Sequence, residues 1–120
     1  MPVIKMFEAS ARVLEDKALV GGKEIPLEDL NPTLMMSLIA ACLGKKVKEA
    51  TGSELVEVKI EVYADIDKIL DGREEIEYIE VKVRSKGPRE EILKGVDSCP
   101  VFGLVDRVRI KSVEVLDSEG

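Results

Sequence analysis

The sequence has no histidine and no tryptophan, and aromatic residues make up only 3% of its 120 residues. Without histidine, a Ser-His-Asp triad, a histidine metal ligand and a histidine general acid are all excluded. Glutamine is also absent and Asn31 is the single asparagine, whereas lysine and glutamate are abundant. Scarce amides and many charged residues are typical of proteins from hot environments. The absence of histidine removes most familiar enzyme classes. The scarcity of amides indicates more about habitat than about function.

The chain also lacks long apolar runs. No run reaches the length of a membrane span, and the first residues lack the apolar stretch of a signal peptide. We therefore expect no membrane partner and a cytoplasmic location. The net charge is −6 with both signs interspersed, whereas nucleic-acid binding depends on clustered lysine and arginine. A nucleic-acid partner is therefore not expected either.

Hydrophobic residues make up 45% of the chain and charged residues 35%, which predicts a folded protein with one domain over residues 1–120. Alternating apolar and polar residues predict strands at 55–63 and 73–85. The second of these changes phase, which predicts a bulge near Tyr78. Residues 64–72 between them are expected to form a linker that ends in a turn at Asp71 and Gly72.

Three further strands are predicted at 107–117, 3–16 and 17–25, the first of them with a bulge around Ser112. A helix is predicted over 88–98, and Pro100 is expected to start a further short one. The resulting element order predicts an α+β fold with a largely antiparallel sheet.

The longest helix is predicted to begin after Asn31, an N-cap residue, with Pro32 at its first position. It is expected to run to about Thr51, where Gly52 ends it. From residue 34 to residue 43 it is apolar nearly all round, which is typical of a helix surrounded by protein. Because one chain of this length covers such a helix with difficulty, we expect an obligate homodimer.

The chain has two cysteines, Cys42 and Cys99. Cys42 lies in the apolar part of the long helix, where a free cysteine packs as a small hydrophobe. Cys99 directly precedes Pro100, and the unpaired amides of a helix N-terminus favour the thiolate form there; a reactive thiol needs such a low pKa together with partial exposure. The residues alone leave three interpretations open: two inert core side chains, a redox pair, or a structural disulfide. They favour the first, and the disulfide least, because the cytoplasm is reducing.

A reactive Cys42 requires a nearby cation or hydrogen-bond donor, because burial raises the pKa of a thiol. Lys45 and Lys46 follow one turn later, but long side chains near a helix end usually extend into water. Arg12 is the only arginine before Cys42. Without a role at Cys42, Arg12 is expected to be an exposed residue of a strand.

Two motifs of the sequence are similar to those of the OsmC/Ohr family, the osmotically inducible and organic hydroperoxide resistance proteins. "NPTLMMSLIAAC", residues 31–42, resembles the Asn-Pro entry and the apolar helix that lead to the first cysteine of that family. "CPVFGLV", residues 99–105, resembles the context of its second cysteine. The resemblance covers residues 26–117 and implies an OsmC-like fold with a long buried central helix, in an intertwined homodimer with active sites at the subunit interface.

The resemblance also implies a function. Family members reduce organic hydroperoxides with thiols, and they use no metal or flavin cofactor. By this resemblance Cys42 attacks the peroxide, Cys99 resolves the product as a disulfide, and a dithiol such as a dihydrolipoyl group, or a small thiol, is the reductant. Arg12 becomes the candidate for the arginine that family members hold over the reactive sulfur. Thiol chemistry of this kind requires no histidine.

The sequence departs from the family pattern next to Pro32. Active members carry a glutamate directly after this proline, whereas Thr33 and Leu34 follow it here, with Glu28 and Asp29 upstream. The resemblance assigns the attack to Cys42, whereas the helix N-terminus favours Cys99. Two other functions stay open: a module that binds a small ligand in an apolar groove lined by the cysteines, and a different cysteine enzyme that acts on acyl or mixed-disulfide substrates.

Overall fold

A computed structural model of the chain describes residues 2–73, 75–101 and 110–117. Its contacts divide into two units, residues 1–35 and residues 36–120. The single domain over residues 1–120 stays a prediction.

The first unit contains a small antiparallel sheet. Its strands are β1 (Ala11–Val13), β2 (Lys17–Val20) and β3 (Lys23–Pro26), in that order. The prediction of two N-terminal strands is wrong, because the second of them is a hairpin. Gly21 and Gly22 have φ angles of 55° and 79°, and two consecutive positive φ angles are typical of a tight hairpin turn.

The long helix, α1, spans Pro32–Thr51 as predicted. Asn31 caps it, since its Oδ1 accepts a hydrogen bond from the Leu34 N–H at 2.9 Å. Gly52 ends it with a φ of 70°. The helix is not covered on every side by its own chain, because the exposed fraction of Leu38 is 56%. None of the helices within the described ranges has the length and apolarity needed to cross a membrane.

The second unit contains a mixed sheet of β4 (Val56–Ala64), β5 (Ile76–Ser85) and β6 (Ile110–Asp117), in that order. Strands β4 and β5 are antiparallel, whereas β5 and β6 are parallel. A parallel neighbour requires a crossover connection, and here the connection contains helix α3 (Arg89–Asp97). The other described pairings are antiparallel, so the prediction of an α+β fold with largely antiparallel sheets is confirmed.

Both predicted bulges are present. Tyr63 pairs with Tyr78 but Ala64 pairs with Ile76, which leaves Glu77 as the extra residue. In the parallel pair, Ile79 is opposite Ile110 and Glu80 is opposite Ser112, so the register shifts by one residue at Lys111.

The predicted linker between β4 and β5 contains a short helix, α2 (Ile66–Leu70), so a purely irregular linker is wrong. Asp65 caps this helix, because its Oδ1 accepts a hydrogen bond from the Asp67 N–H at 2.9 Å. Gly72 then has a φ of 81°, as expected for the turn after Asp71.

The core of the second unit lies between α1, α3 and the sheet. Buried side chains from these elements form one cluster: Leu43, Val47, Ile79, Val81, Val83, Ile92, Val96 and Cys99. One of the two cysteines is therefore part of the core, and the other, Cys42, packs against it.

Candidate functional site

Helix α1 places Cys42 at the margin of the core. Successive residues of a helix point about 100° apart, so Leu43 faces the core and is fully buried. Cys42, directly before it, is only partly buried and packs against the cluster. Its sulfur is therefore partly accessible from outside the second unit.

Cys99 follows α3 and directly precedes the helical residues Pro100 and Val101, so the predicted helix start is confirmed. Residues 102–109, which follow, lie outside the described residues. The N–H of Cys99 donates to the carbonyl of Val96 at 3.3 Å. The exposed fraction of Cys99 is only 2%, because it packs in the core with Val96 and Ile92, so this chain does not give Cys99 the partial exposure that a reactive thiol needs.

The two thiols are neighbours, because Cys42 packs against the core cluster that contains Cys99, and Cys99 raises the pKa of the Cys42 thiol. Both are free, so no disulfide joins them. Cys42 is the more exposed of the two residues, so a reagent from solvent reaches it first.

Burial raises the pKa of the Cys42 thiol above its ordinary value, and the neighbouring Cys99 raises it further. Lys45 and Lys46 lower this pKa, but by less. Lys46 also forms an ion pair with Glu49 at 3.6 Å. Within the second unit, the net effect of the surroundings is thus to favour the protonated thiol at Cys42, as the sequence predicts for a buried cysteine without a stronger cation.

The third predicted site residue, Arg12, belongs to the first unit. It is exposed on β1, where its backbone pairs with Leu19. Glu28 and Asp29 are also in that unit, in a 3₁₀ turn before the N-cap of α1, and both are exposed. The structure thus brings Cys42 and Cys99 together, and the role of Arg12 at Cys42 stays a prediction.

An open groove lies beside α1 and β4. Its floor includes the small residues of one face of α1, and its walls carry both charged and apolar side chains. The lining residues are Ser37, Ala40, Ala41, Gly44, Lys45, Lys48, Glu54, Leu55, Val56 and Val58. Neither cysteine lines this groove, so it differs from the cysteine-lined groove of the alternative prediction.

Within residues 2–73, 75–101 and 110–117, no three histidine, cysteine, aspartate or glutamate side chains gather in a way that could hold a metal ion. The sequence-based selection of residues also missed Gly95, at which α3 approaches the backbone of α1 closely. The available signal was a glycine inside a helical pattern, which usually has a packing or functional reason.

This α+β arrangement, with a long helix and small, largely antiparallel sheets, is the OsmC-like fold. An OsmC-like protein from Mycoplasma pneumoniae has a similar structure, with a TM-score of 0.63 and 17% identity over 97% of this chain and 98% of that one. A hypothetical protein from Aquifex aeolicus VF5 is also similar, with a TM-score of 0.65 and 18% identity over 97% of this chain and 100% of that one.

The organic hydroperoxide resistance protein OhrB of Bacillus subtilis shares the fold as well. Its TM-score is 0.54 and its identity 19%, over 95% of this chain and 100% of that one. No protein-family model and no curated protein matches the sequence. At these identities the likeness establishes the fold, so the fold implied by the resemblance to OsmC/Ohr proteins is confirmed.

Proposed function

We propose that the protein reduces organic hydroperoxides through a cycle of its two cysteines, without a metal or flavin. The observation that carries this proposal is that Cys42 packs against the core cluster that contains Cys99, with Cys42 the more exposed of the two. The likeness in fold to OhrB, an organic hydroperoxide resistance protein, supports the same class of substrate.

In the first step the Cys42 thiolate attacks the distal oxygen of the hydroperoxide. The sulfur–oxygen bond forms, the oxygen–oxygen bond breaks, and the alkoxide leaves as an alcohol after taking up a proton. Cys42 is oxidised by two electrons to a sulfenic acid, and the peroxide is reduced. The greater exposure of Cys42 supports its assignment as the attacking residue.

In the second step the Cys99 sulfur attacks the Cys42 sulfenic acid, a disulfide forms, and the hydroxyl leaves as water. A dithiol or small-thiol reductant then returns two electrons by thiol–disulfide exchange through a mixed disulfide. The packing of Cys42 against the cluster that contains Cys99 supports this resolution, because the resolving thiol is near the site of attack.

We assign Arg12 the task of lowering the pKa of Cys42, which burial and Cys99 raise. Replacing Arg12 with methionine should move the pH midpoint of Cys42 alkylation upward and slow peroxide consumption at pH 7 about tenfold, the effect of one pKa unit. Residue-specific mass spectrometry of iodoacetamide labelling measures the midpoint. Lys23→Met, at another exposed cation of the first unit, is the matched control; equal midpoints in Arg12→Met and wild type would contradict the assignment.

We also propose that the protein is a homodimer in the cytoplasm. The support for a dimer is the apolar surface that α1 leaves uncovered: the exposed fraction of Leu38 is 56% and that of Met35 is 52%. Exposed apolar side chains on a long central helix are suited to contact with a second copy of the chain. The partner subunit would then complete the surroundings of Cys42, which lies one turn after Leu38 on the same face of α1.

The groove beside α1 and β4 favours a second candidate function, the binding of a small ligand. It has both apolar and charged lining groups, and neither cysteine lines it. In that case the thiols belong to the core and carry no chemistry.

The consumption of cumene hydroperoxide by the protein distinguishes these functions. The reduced protein with excess dihydrolipoamide should consume many equivalents of peroxide per chain, and the double variant Cys42→Ser/Cys99→Ser should consume none above buffer. Equal consumption by both proteins would contradict the peroxidase. Intact thiols together with small apolar ligands that raise the melting temperature would favour the binding module. Thiol loss with acyl donors but not with peroxide would favour another cysteine enzyme.

A further inference from the structure

Helices α1 and α3 approach each other closely at Gly95. A Cβ atom at this position would lie 2.7 Å from the Cα of Val47, 3.0 Å from the carbonyl oxygen of Lys46 and 3.1 Å from the N of Val47. All three are backbone atoms, which cannot rotate away as a side chain can. Only glycine therefore allows this approach, and any larger residue must push α3 away from α1.

This crossing lies beside the cysteine pair. Val47 lies little more than one turn after Cys42 on α1, and Gly95 lies one turn before Cys99 at the end of α3. The contacts Val47–Gly95 and Cys42–Cys99 run in opposite order along the two segments, so the helices are antiparallel here. A displacement of α3 at Gly95 therefore moves Cys99 relative to Cys42.

The last turn of α3 connects Gly95 firmly to Cys99. The Ser98 hydroxyl donates to the carbonyl oxygen of Gly95 at 2.8 Å, and the Ser98 N–H donates to the same oxygen at 3.2 Å. The Cys99 N–H donates to the carbonyl of Val96 at 3.3 Å. These bonds make residues 95–99 one hydrogen-bonded segment, which transmits a shift of the helix to the thiol.

We propose that Gly95 is a positioning residue for the Cys42–Cys99 pair: its lack of a side chain sets the helix separation that keeps the two thiols in contact. The inference rests on the proposed two-cysteine function and names a residue on which its resolving step depends. A Cβ at position 95 would have to move from 2.7 Å to the 3.4 Å of an ordinary contact. That movement separates the sulfurs and lowers the effective concentration of one thiol at the other.

The test is the equilibrium of the full chain with reduced and oxidised glutathione, which needs no peroxide. Gly95→Ala should lower the equilibrium constant for the Cys42–Cys99 disulfide about tenfold, which raises its reduction potential by about 30 mV. The fraction of disulfide is measured by mass spectrometry after acid quenching and alkylation. An unchanged constant in a folded Gly95→Ala protein overturns the inference, and so does a wild-type protein that forms no such disulfide.

Two controls separate positioning from a loss of stability. Gly44→Ala makes the same change on α1 and meets the Val58 Cγ2 at an ordinary 3.4 Å, so its disulfide constant should equal that of wild type. Val96→Ala removes core packing from α3 without adding a clash, so it should lower the melting temperature and leave the constant within about twofold of wild type. A shift of the constant in Val96→Ala as large as in Gly95→Ala would contradict a specific role of Gly95.

Ser98→Ala provides a second test of the inference if Gly95→Ala does not fold. Ser98 is exposed, so this variant folds, and it loses only the hydroxyl bond to Gly95. Its disulfide constant should fall about two- to threefold. An unchanged constant in this variant would overturn the inference. A wild-type protein that forms the disulfide in glutathione but does not consume cumene hydroperoxide contradicts the proposed function and leaves the placement of the thiols by Gly95 intact.

Discussion

Replacing Cys42 with serine should reduce hydroperoxide consumption roughly a thousandfold, because a hydroxyl is a far weaker nucleophile than a thiolate. Cys99→Ser should instead consume a single equivalent of peroxide when no external thiol is present. Its Cys42 is then left as a sulfenic acid, since no neighbouring thiol can displace the hydroxyl as water. Dimedone should trap this product, and mass spectrometry of the labelled peptide should locate it on Cys42.

The same two variants decide which sulfur attacks. Cys42 is the more accessible thiol, whereas Cys99 lies at the start of a helix but has an exposed fraction of only 2%. If access governs the reaction, dimedone labels Cys42 in Cys99→Ser, and Cys42→Ser is inert. Dimedone on Cys99 in Cys42→Ser, together with an inactive Cys99→Ser, would reverse the two roles.

Replacing Leu38 with glutamate should convert the proposed dimer to a monomer. In a symmetric dimer every substitution occurs twice, and burying each carboxylate at the interface costs at least about 2 kcal/mol. Together these costs weaken association by roughly a thousandfold. Because the exposed fraction of Leu38 is 56% in the single chain, the fold of each chain should survive, and far-ultraviolet circular dichroism should stay that of wild type.

Sedimentation velocity measures this effect directly. Leu70→Glu is the matched control, since Leu70 is 77% exposed but lies on α2 rather than α1, and this variant should remain dimeric. A dimeric Leu38→Glu protein, or a monomeric wild-type protein, would contradict the proposal that a second copy covers α1. Slower peroxide consumption in the monomeric variant is expected as well, because Leu38 lies one turn before Cys42 on the same helix.

The sequence predicts the long helix and the strand bulges well because their signals are local. Asn31 and Pro32 mark the start of α1 through capping chemistry that involves only the next few residues. The phase change near Tyr78 is visible in the alternation of the strand itself. The division of residues 17–25 into two strands depends on the turn at Gly21 and Gly22, and these two glycines are its local signal in the sequence.

The site depends on contacts between distant parts of the chain, which the sequence specifies less directly than it specifies helices and strands. The apolar surroundings of Cys42 indicate burial, but no local pattern indicates that Cys99 lies against it. The burial of Cys99 is not visible in the local sequence either, because the helix N-terminus argument considers the free amides and leaves out the packing of Val96 and Ile92. Gly95 matters only through the backbone of Val47, which is remote in sequence.

The central claim is that Cys42 and Cys99 form one redox pair, and peptide mapping after a single equivalent of cumene hydroperoxide tests it most directly. The account predicts that both thiols disappear together and that a non-reducing digest contains one cross-linked peptide, joining Cys42 to Cys99. Peroxide consumed with both thiols intact, or a disulfide that joins Cys42 of one chain to Cys42 of another, would contradict it.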